Sequence, residues 1–494
     1  MNKLVFPKDV HDALEAIGEW VIDGKGTSIF GVLHHEPTKL ANLKILGMDK
    51  VDAPKTIIGK REGGLYITVF DAVGSRFHGN MLDPETCITE YGFSSFWEGP
   101  QCFAKKSDVK FRQATFGING LEGWYSPPAF KYRNMWKGCD KIEIKYQRPK
   151  TIQLFSDDNV TIKIGYSVQT SGVSVAQNHI EVAHVPRVII RVKKGKLPFY
   201  EGDKSLETYI RFAHNFLALL IGKDALTYDL SCTSEYLLVR KAEKRKAGLK
   251  IIRNEQIFKY YWSRTLPSEI KSDPLSVLIP LTNHSRIVRA AQRFATAFFT
   301  NEDLFESIVA YTYSWKSFTE NTLPEQVFLF EGLCKILFIK NCRAEKLRRV
   351  KSSGDWDMIE QIKSLPTIKG NKKLSVIASR LFTPDPSLND MLTVAFSRTS
   401  AIFGFLHDKQ ISKTIKAYLG KRRNGTAHSG NQGRISVEKE VWCSRFLQME
   451  SLALILLYCG FSKTIVKKYF DRPFTGYSYL LKTLPQMNGK ANTP

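Results

Sequence analysis

The sequence predicts an α+β multidomain protein, with a β-rich antiparallel N-terminal domain followed by an all-α helical-bundle domain. Three observations lead there. The chain has 494 residues, more than one ordinary core organises. Its first two hundred residues read as short runs rich in Ile, Val, Tyr and Phe between Gly, Pro, Asn and Asp turns. Beyond about Leu278 almost every apolar run has helical spacing.

The strand-like runs begin near Glu19 and continue to Val192. SIFGVLHH, LKILG, KTIIGK, GLYITVF, FRQATFGING, KIEIKYQ, TIQLF, VTIKIGY, HIEVAHV and RVIIRVKK follow one another at a spacing that favours an antiparallel sandwich or barrel-like domain. Trp97, Phe103, Trp124, Tyr125 and Trp136 fall among these runs. Aromatic residues in such positions pack cores and sheet edges more often than they form a ligand face.

After Pro198 the period changes. Ser205 to Gly222 reads as a helix, and a mixed segment follows to about Ser272 that includes the basic run Arg240 to Lys250. Later, Pro324 stands where a first-turn proline is tolerated, ahead of Val327, Phe330, Cys334, Leu337 and Phe338 at helical spacing. Met391 to Leu406 is apolar enough for an internal helix. Ile411, Ile415, Tyr418 and Leu419 then form a stripe that leaves Lys413 and Lys416 for solvent or an anion. Ser436 is expected to cap the last long helix, with Glu438 and Glu440 at its positive end. The boundaries drawn are 1–198 for the β-rich domain, 199–310 for a mixed, mainly helical continuation, and 311–494 for the helical domain.

The formal charge of +24 points to a polyanionic partner, and nucleic acid suits it better than an acidic metabolite. From Glu320 onward the net charge is about +14. The eight cysteines are scattered, without a C-x-x-C pair or a His at zinc-ligand spacing, so a reduced cytoplasmic protein without metal or other cofactor is expected. The N-terminus lacks the apolar core of a signal peptide. The longest apolar runs, His214 to Gly222 and Ser451 to Phe461, are too short for a membrane span.

The stretch GKRRNGTAHSGNQG, Gly420 to Gly433, carries the chemistry. Read as a loop between two amphipathic helices, it places Lys421, Arg422 and Arg423 before a short polar run ending at His428. Arginine offers a permanently charged fork for a phosphate, and histidine can give or take a proton near neutral pH. A chain of this length should contain about one Arg with a His after four to six residues by chance. Among the ten histidines only His428 satisfies that spacing. Arg422 lies within the window as well as Arg423.

Arg423-Asn424-Gly425-Thr426-Ala427-His428 resembles the signature of the HEPN superfamily: Arg, a polar residue, then His after four to six intervening residues. The opening GEWVIDGKGTSIFGVLHHEPTKLANLKILG, the LEGWYS segment at Leu121 to Ser126 and the run LPEQVFLFEGLCKILF are similar to the ApeA-like antiphage proteins, which join a β-rich N-terminal domain to a C-terminal HEPN domain. One departure concerns an acidic residue late in the first HEPN helix. This chain has Cys334 there, and Glu331 is the available substitute.

The resemblance implies a metal-independent endoribonuclease acting in antiphage defence, with tRNA a candidate substrate. The RNA 2′-hydroxyl would attack the adjacent phosphate, leaving a 2′,3′-cyclic phosphate and a 5′-hydroxyl. His428 is then the general acid or base, Arg423 neutralises charge growing on the phosphorane, and Asn424 orients a phosphate oxygen or the catalytic pair. Lys421, Arg422 and Lys416 are the expected RNA-binding residues. Asn424 falls in the expected register only if Arg423 is the motif arginine.

On a regular helix, residues five apart differ by roughly 140°, so Arg423 and His428 cannot both face one phosphate. Two copies of the motif across a two-fold axis relieve this, and a homodimer is also what the resemblance implies. A phage-derived trigger sensed by the N-terminal domain is the other expected partner. The competing expectation is a non-catalytic HEPN scaffold that binds RNA or nucleotide.

Overall fold

A computed structural model of the chain describes residues 14–484 except 24–27, 37–38, 47–53, 62, 79–87, 126–129, 134–142, 148, 171–181, 203, 223–224, 226, 243–248, 263–278, 280–283, 314–321, 353–356, 358–360, 363, 367–384, 428–436 and 472–479. It divides into two compact units, Met1–His284 and Ser285–Pro494. The first is built on antiparallel strands and the second on helices.

The strands of the first unit are β1 (Leu14–Ile22), β2 (Ile29–His35), β3 (Ala41–Leu46), β4 (Thr56–Arg61), β5 (Tyr66–Phe70), β6 (Val73–His78), β7 (Ile88–Phe93), β8 (Ser95–Gly99) and β9 (Lys110–Phe111). They continue as β10 (Gln113–Ile118), β11 (Phe130–Arg133), β12 (Glu143–Tyr146), β13 (Ile152–Ser156), β14 (Val160–Thr170), β15 (Val182–Val192), β16 (Leu197–Pro198), β17 (Thr227–Ala242) and β18 (Leu249–Trp262). Fourteen of them form one sheet in the order β13-β14-β15-β10-β17-β18-β8-β5-β4-β1-β2-β3-β7-β6. All of its pairs are antiparallel.

The two-residue period of a strand decides the packing. Ala16, Trp20 and Ile22 of β1, Leu33 of β2, and Leu43 and Ile45 of β3 are buried on one face and belong to one core cluster. Trp20 donates its indole N–H to the Gly31 carbonyl at 3.1 Å. A second aromatic group gathers around Trp97, with ring centroids 4.7 Å from Phe199 and 4.6 Å from Tyr260. Trp97, Phe103 and Trp124 are all buried, as expected of core aromatics. Trp136 lies outside the described residues.

Residues 227–262 differ from the mixed segment read there. They form the hairpin β17–β18, which lies between β10 and β8 and so links the later strands to the earlier ones. Asn254 and Gln256 fall on the face of Ile252 and Phe258, and Ile257 falls among the charges Arg253, Glu255 and Lys259, which blurs the alternation that marks a half-buried strand. Of the basic run Arg240 to Lys250, Arg240 pairs with Ile251 and Lys241 with Lys250 at the end of β17 and the start of β18, and residues 243–248 lie outside the described residues. Because the sheet extends past residue 198, the first unit reaches His284, whereas the sequence boundaries fall at 198 and 310.

Helices in the first unit are α1 (Leu121–Trp124) and α2 (Leu206–Ile221). α2 starts at Ser205, whose hydroxyl accepts the Thr208 N–H, and stops at Gly222 with φ 77°, a left-handed conformation suited to glycine. In the second unit stand α3 (His284–Phe298), α4 (Glu302–Tyr313), α5 (Thr322–Ser352), α6 (Leu388–Thr399), α7 (Lys409–Ala427), α8 (Val437–Tyr458) and α9 (Lys463–Phe470).

α5 packs against α6, α7 and α8, and its Phe330, Leu333 and Cys334 are buried, as are Met391, Leu392, Phe446 and Leu454 of α6 and α8. It bends at Phe338, whose φ of −140° and ψ of 21° leave the helical region. α6 stops at Thr399 and is followed by a 3-10 turn at Gly404–His407, so Met391 to Leu406 is not one helix. Among the described residues no helix is long and apolar enough to cross a membrane.

Candidate functional site

α7 positions the predicted site. Its apolar stripe is seated by Ile415 and Leu419, both buried, and its polar residues follow from that rotation. The helix runs through Ala427, so Gly420 to Ala427 is helical where a loop was expected. Glycine costs a helix interior only about 1 kcal/mol relative to alanine, and the buried stripe two turns upstream supplies what propensity lacks. His428 follows directly and lies outside the described residues. The backbone of Asn424 is in α7, and its side chain is outside the description.

Arg422 and Arg423 reach different helices. Arg422 is buried, and its Nε lies 3.2 Å from Glu440 Oε1 of α8. That Nε is close enough to form an ion pair, but its alignment with Glu440 is too poor for a hydrogen bond. Arg423 is 42 % exposed at its side chain and donates from Nε to Glu331 Oε1 of α5 at 3.0 Å. The Glu331 carboxylate is nearly buried. The arginine in the motif register is thus the one held at the surface by an acid of α5. Arg422, expected to meet RNA phosphates, is mostly buried here, with 9 % of its side chain exposed.

The remaining predicted cations split in the same way. Lys421 is exposed. Lys416 is half-buried, donates to Thr393 Oγ1 at 2.8 Å, and sits 5.5 Å from the centre of the Phe396 ring. Burial holds its ammonium below the ordinary lysine range. Among the described residues no group of three or more His, Cys, Asp or Glu could hold a metal ion.

A family model described as ApeA N-terminal domain 1 matches residues 15–265, just over half of the chain. The chain belongs to the ApeA family. No curated protein and no solved structure matches it. The matched ApeA segment runs almost from the first residue of β1 to the end of β18, so the whole fourteen-stranded sheet is the ApeA N-terminal domain.

Arg423 and its surroundings lie beyond that ApeA segment. Sequence reasoning found Glu331 only as a substitute acid, and its pairing with Arg423 depends on how α5 and α7 cross, which no local pattern encodes. Glu440 was read as a helix-dipole residue and also partners Arg422. Lys409 was missed altogether. The signal that could have found it is the seven-residue spacing of Lys409, Lys416 and Arg423, which brings all three within roughly 40° on one face of a helix.

Proposed function

We propose that the helical unit of this ApeA-family protein is a HEPN-type, metal-independent endoribonuclease serving antiphage defence, with Arg423 and His428 at its cleavage site. The observation that carries the reading is Arg423 itself. In the register that gives the Arg-Asn-x-x-x-His motif, it is the arginine that stands half-exposed near the end of α7, oriented by the buried Glu331 carboxylate, while its neighbour Arg422 is occupied inside the bundle. A guanidinium held by one edge still presents N–H groups to a phosphate.

In this reading the RNA 2′-hydroxyl attacks its own phosphorus, His428 moves the proton, and Arg423 stabilises the charge that grows on the phosphorane oxygens. Asn424 orients the phosphate. A helix extended by one residue past Ala427 would set His428 about 140° from Arg423, which favours a site shared by two copies of the chain. tRNA is the substrate to try first, and the ApeA sheet is the part that would sense a phage-derived trigger.

The test is incubation of the purified full-length protein with total RNA and with tRNA, in EDTA and in magnesium. Cleavage that persists in EDTA and disappears in His428→Ala supports the reading. Binding without cleavage under every condition would replace it with a non-catalytic RNA-binding scaffold.

A further inference from the structure

α7 carries six Lys and Arg and no Asp or Glu. Exposed helices ordinarily intersperse acids that form i, i+4 pairs, and like charges at that spacing destabilise the helix. Lys409 and Lys413 are such a like-charged pair. Both are exposed, and neither has a hydrogen-bond or ion-pair partner among the described residues. The nearest acid in sequence, Asp408, is engaged in accepting the N–H groups of Gln410 and Ile411 at the start of the helix.

These lysines line a groove of about 550 Å³ between α7, the start of α6 at Asn389 and Leu406 of the 3-10 turn. Lys416 is fixed at its wall by Thr393 and Phe396. The next residue on the same face is Gly420, where an added Cβ would meet nothing within 4 Å. One turn further stands Arg423. Lys409, Lys416 and Arg423 are therefore roughly 10 Å apart in succession along one face, with bare backbone between the last two.

We propose that this groove and the Gly420 gap form a track for the single-stranded RNA flanking the cleaved bond, with its phosphates on Lys409, Lys413 and Lys416 and its path leading over Gly420 to Arg423. Binding in the groove is independent of the nuclease reading, and only the destination at Arg423 rests on it. A volume of about 550 Å³ is that of a small-ligand cleft, which a short length of one strand fills. Among the described residues no aromatic side chain lines it, so it grips backbone and not bases, and the contact is independent of sequence.

The experiment is fluorescence anisotropy of a short labelled single-stranded RNA with the full-length protein over a range of salt, alongside cleavage by the wild type. Lys409→Ala/Lys413→Ala should bind roughly tenfold more weakly and lose about 1.4 from the slope of log affinity against log salt, about 0.7 for each phosphate contact. Gly420→Leu, which keeps a good helix former and enters open space, should weaken binding with little change in slope. The control pair Lys467→Ala/Lys468→Ala, exposed on α9, should bind and cleave as the wild type does.

Unchanged affinity in both groove variants, or an equal loss in the control, overturns the track. Weakened binding in the groove variants, together with a wild type that cuts no RNA, would keep the track and remove the nuclease reading.

Discussion

Adjacent residues on a helix point about 100° apart, and for Arg422 and Arg423 that rotation separates a core ion pair from a half-exposed guanidinium held by Glu331. Arg423→Lys should lose most single-turnover cleavage with little change in Tm, because an ammonium cannot reproduce the guanidinium fork. Arg422→Ala should instead destabilise the helical unit by about 3 kcal/mol, since it strands the buried Glu440 carboxylate. Thermal melts and saturating-enzyme kinetics on both variants check this, and the opposite ordering would place the motif one residue out of register. Glu450 gives a separate test through pH. Its carboxyl is fully buried in α8, accepts the Thr399 hydroxyl at 2.7 Å, and is pushed up to about 8 by burial from a reference value of 4.5. Between those values the folded chain holds a proton that the unfolded chain has lost. Stability therefore falls as pH rises through that window, by up to about 1.4 kcal/mol per pH unit. Glu450→Gln keeps the acceptor and should flatten the decline of Tm between pH 5 and 8. A slope as steep as the wild type's would show that Glu450 is ionised in the folded protein.

At the level of elements, strands depend on residues that no local pattern marks. A Cβ at Gly59 of β4 would stand 2.4 Å from the ring of Trp20, which is buried and hydrogen-bonded and so has little room to move. Gly59→Ala should cost about 1–3 kcal/mol by overpacking, read as a lower urea midpoint for the sheet unit, and an unchanged midpoint would mean that the ring relaxes freely. The same contrast explains what was legible in the sequence. Alternating strands such as β14 and the capped helix α2 announce themselves, because period and caps are local. β7, β8 and the hairpin β17–β18 were missed, since polar residues such as Thr89, Glu98, Asn254 and Gln256 stand at their apolar positions and their strand pairing includes neighbours distant in the chain. The helical start of the motif was read as a loop because its glycines suggested a turn, while the stripe at Ile415 and Leu419 carries α7 onward through them. Arg423 was singled out by its spacing to His428 together with the Asn424 register, since Arg422 satisfies the spacing as well. Its partner Glu331, 92 residues earlier, was legible only as an acid without an assigned contact.

At the scale of the whole molecule, the ApeA match and the basic helix α7 fall in different units. The match ends with β18, and the strongly basic α7 lies in the helical unit beyond it. A protein with a formal charge of +24 will bind RNA to some degree whatever its chemistry, so affinity alone cannot establish cleavage. The chemistry of the ends can. Expression of the wild type in cells, followed by sequencing of RNA 3′ ends that carry 2′,3′-cyclic phosphates, should yield new ends opposite 5′-hydroxyl partners, and His428→Ala at equal abundance should yield none. The same ends at the same positions in His428→Ala, or none above background in the wild type under conditions where it arrests growth, would contradict the assignment of RNA cleavage to Arg423 and His428.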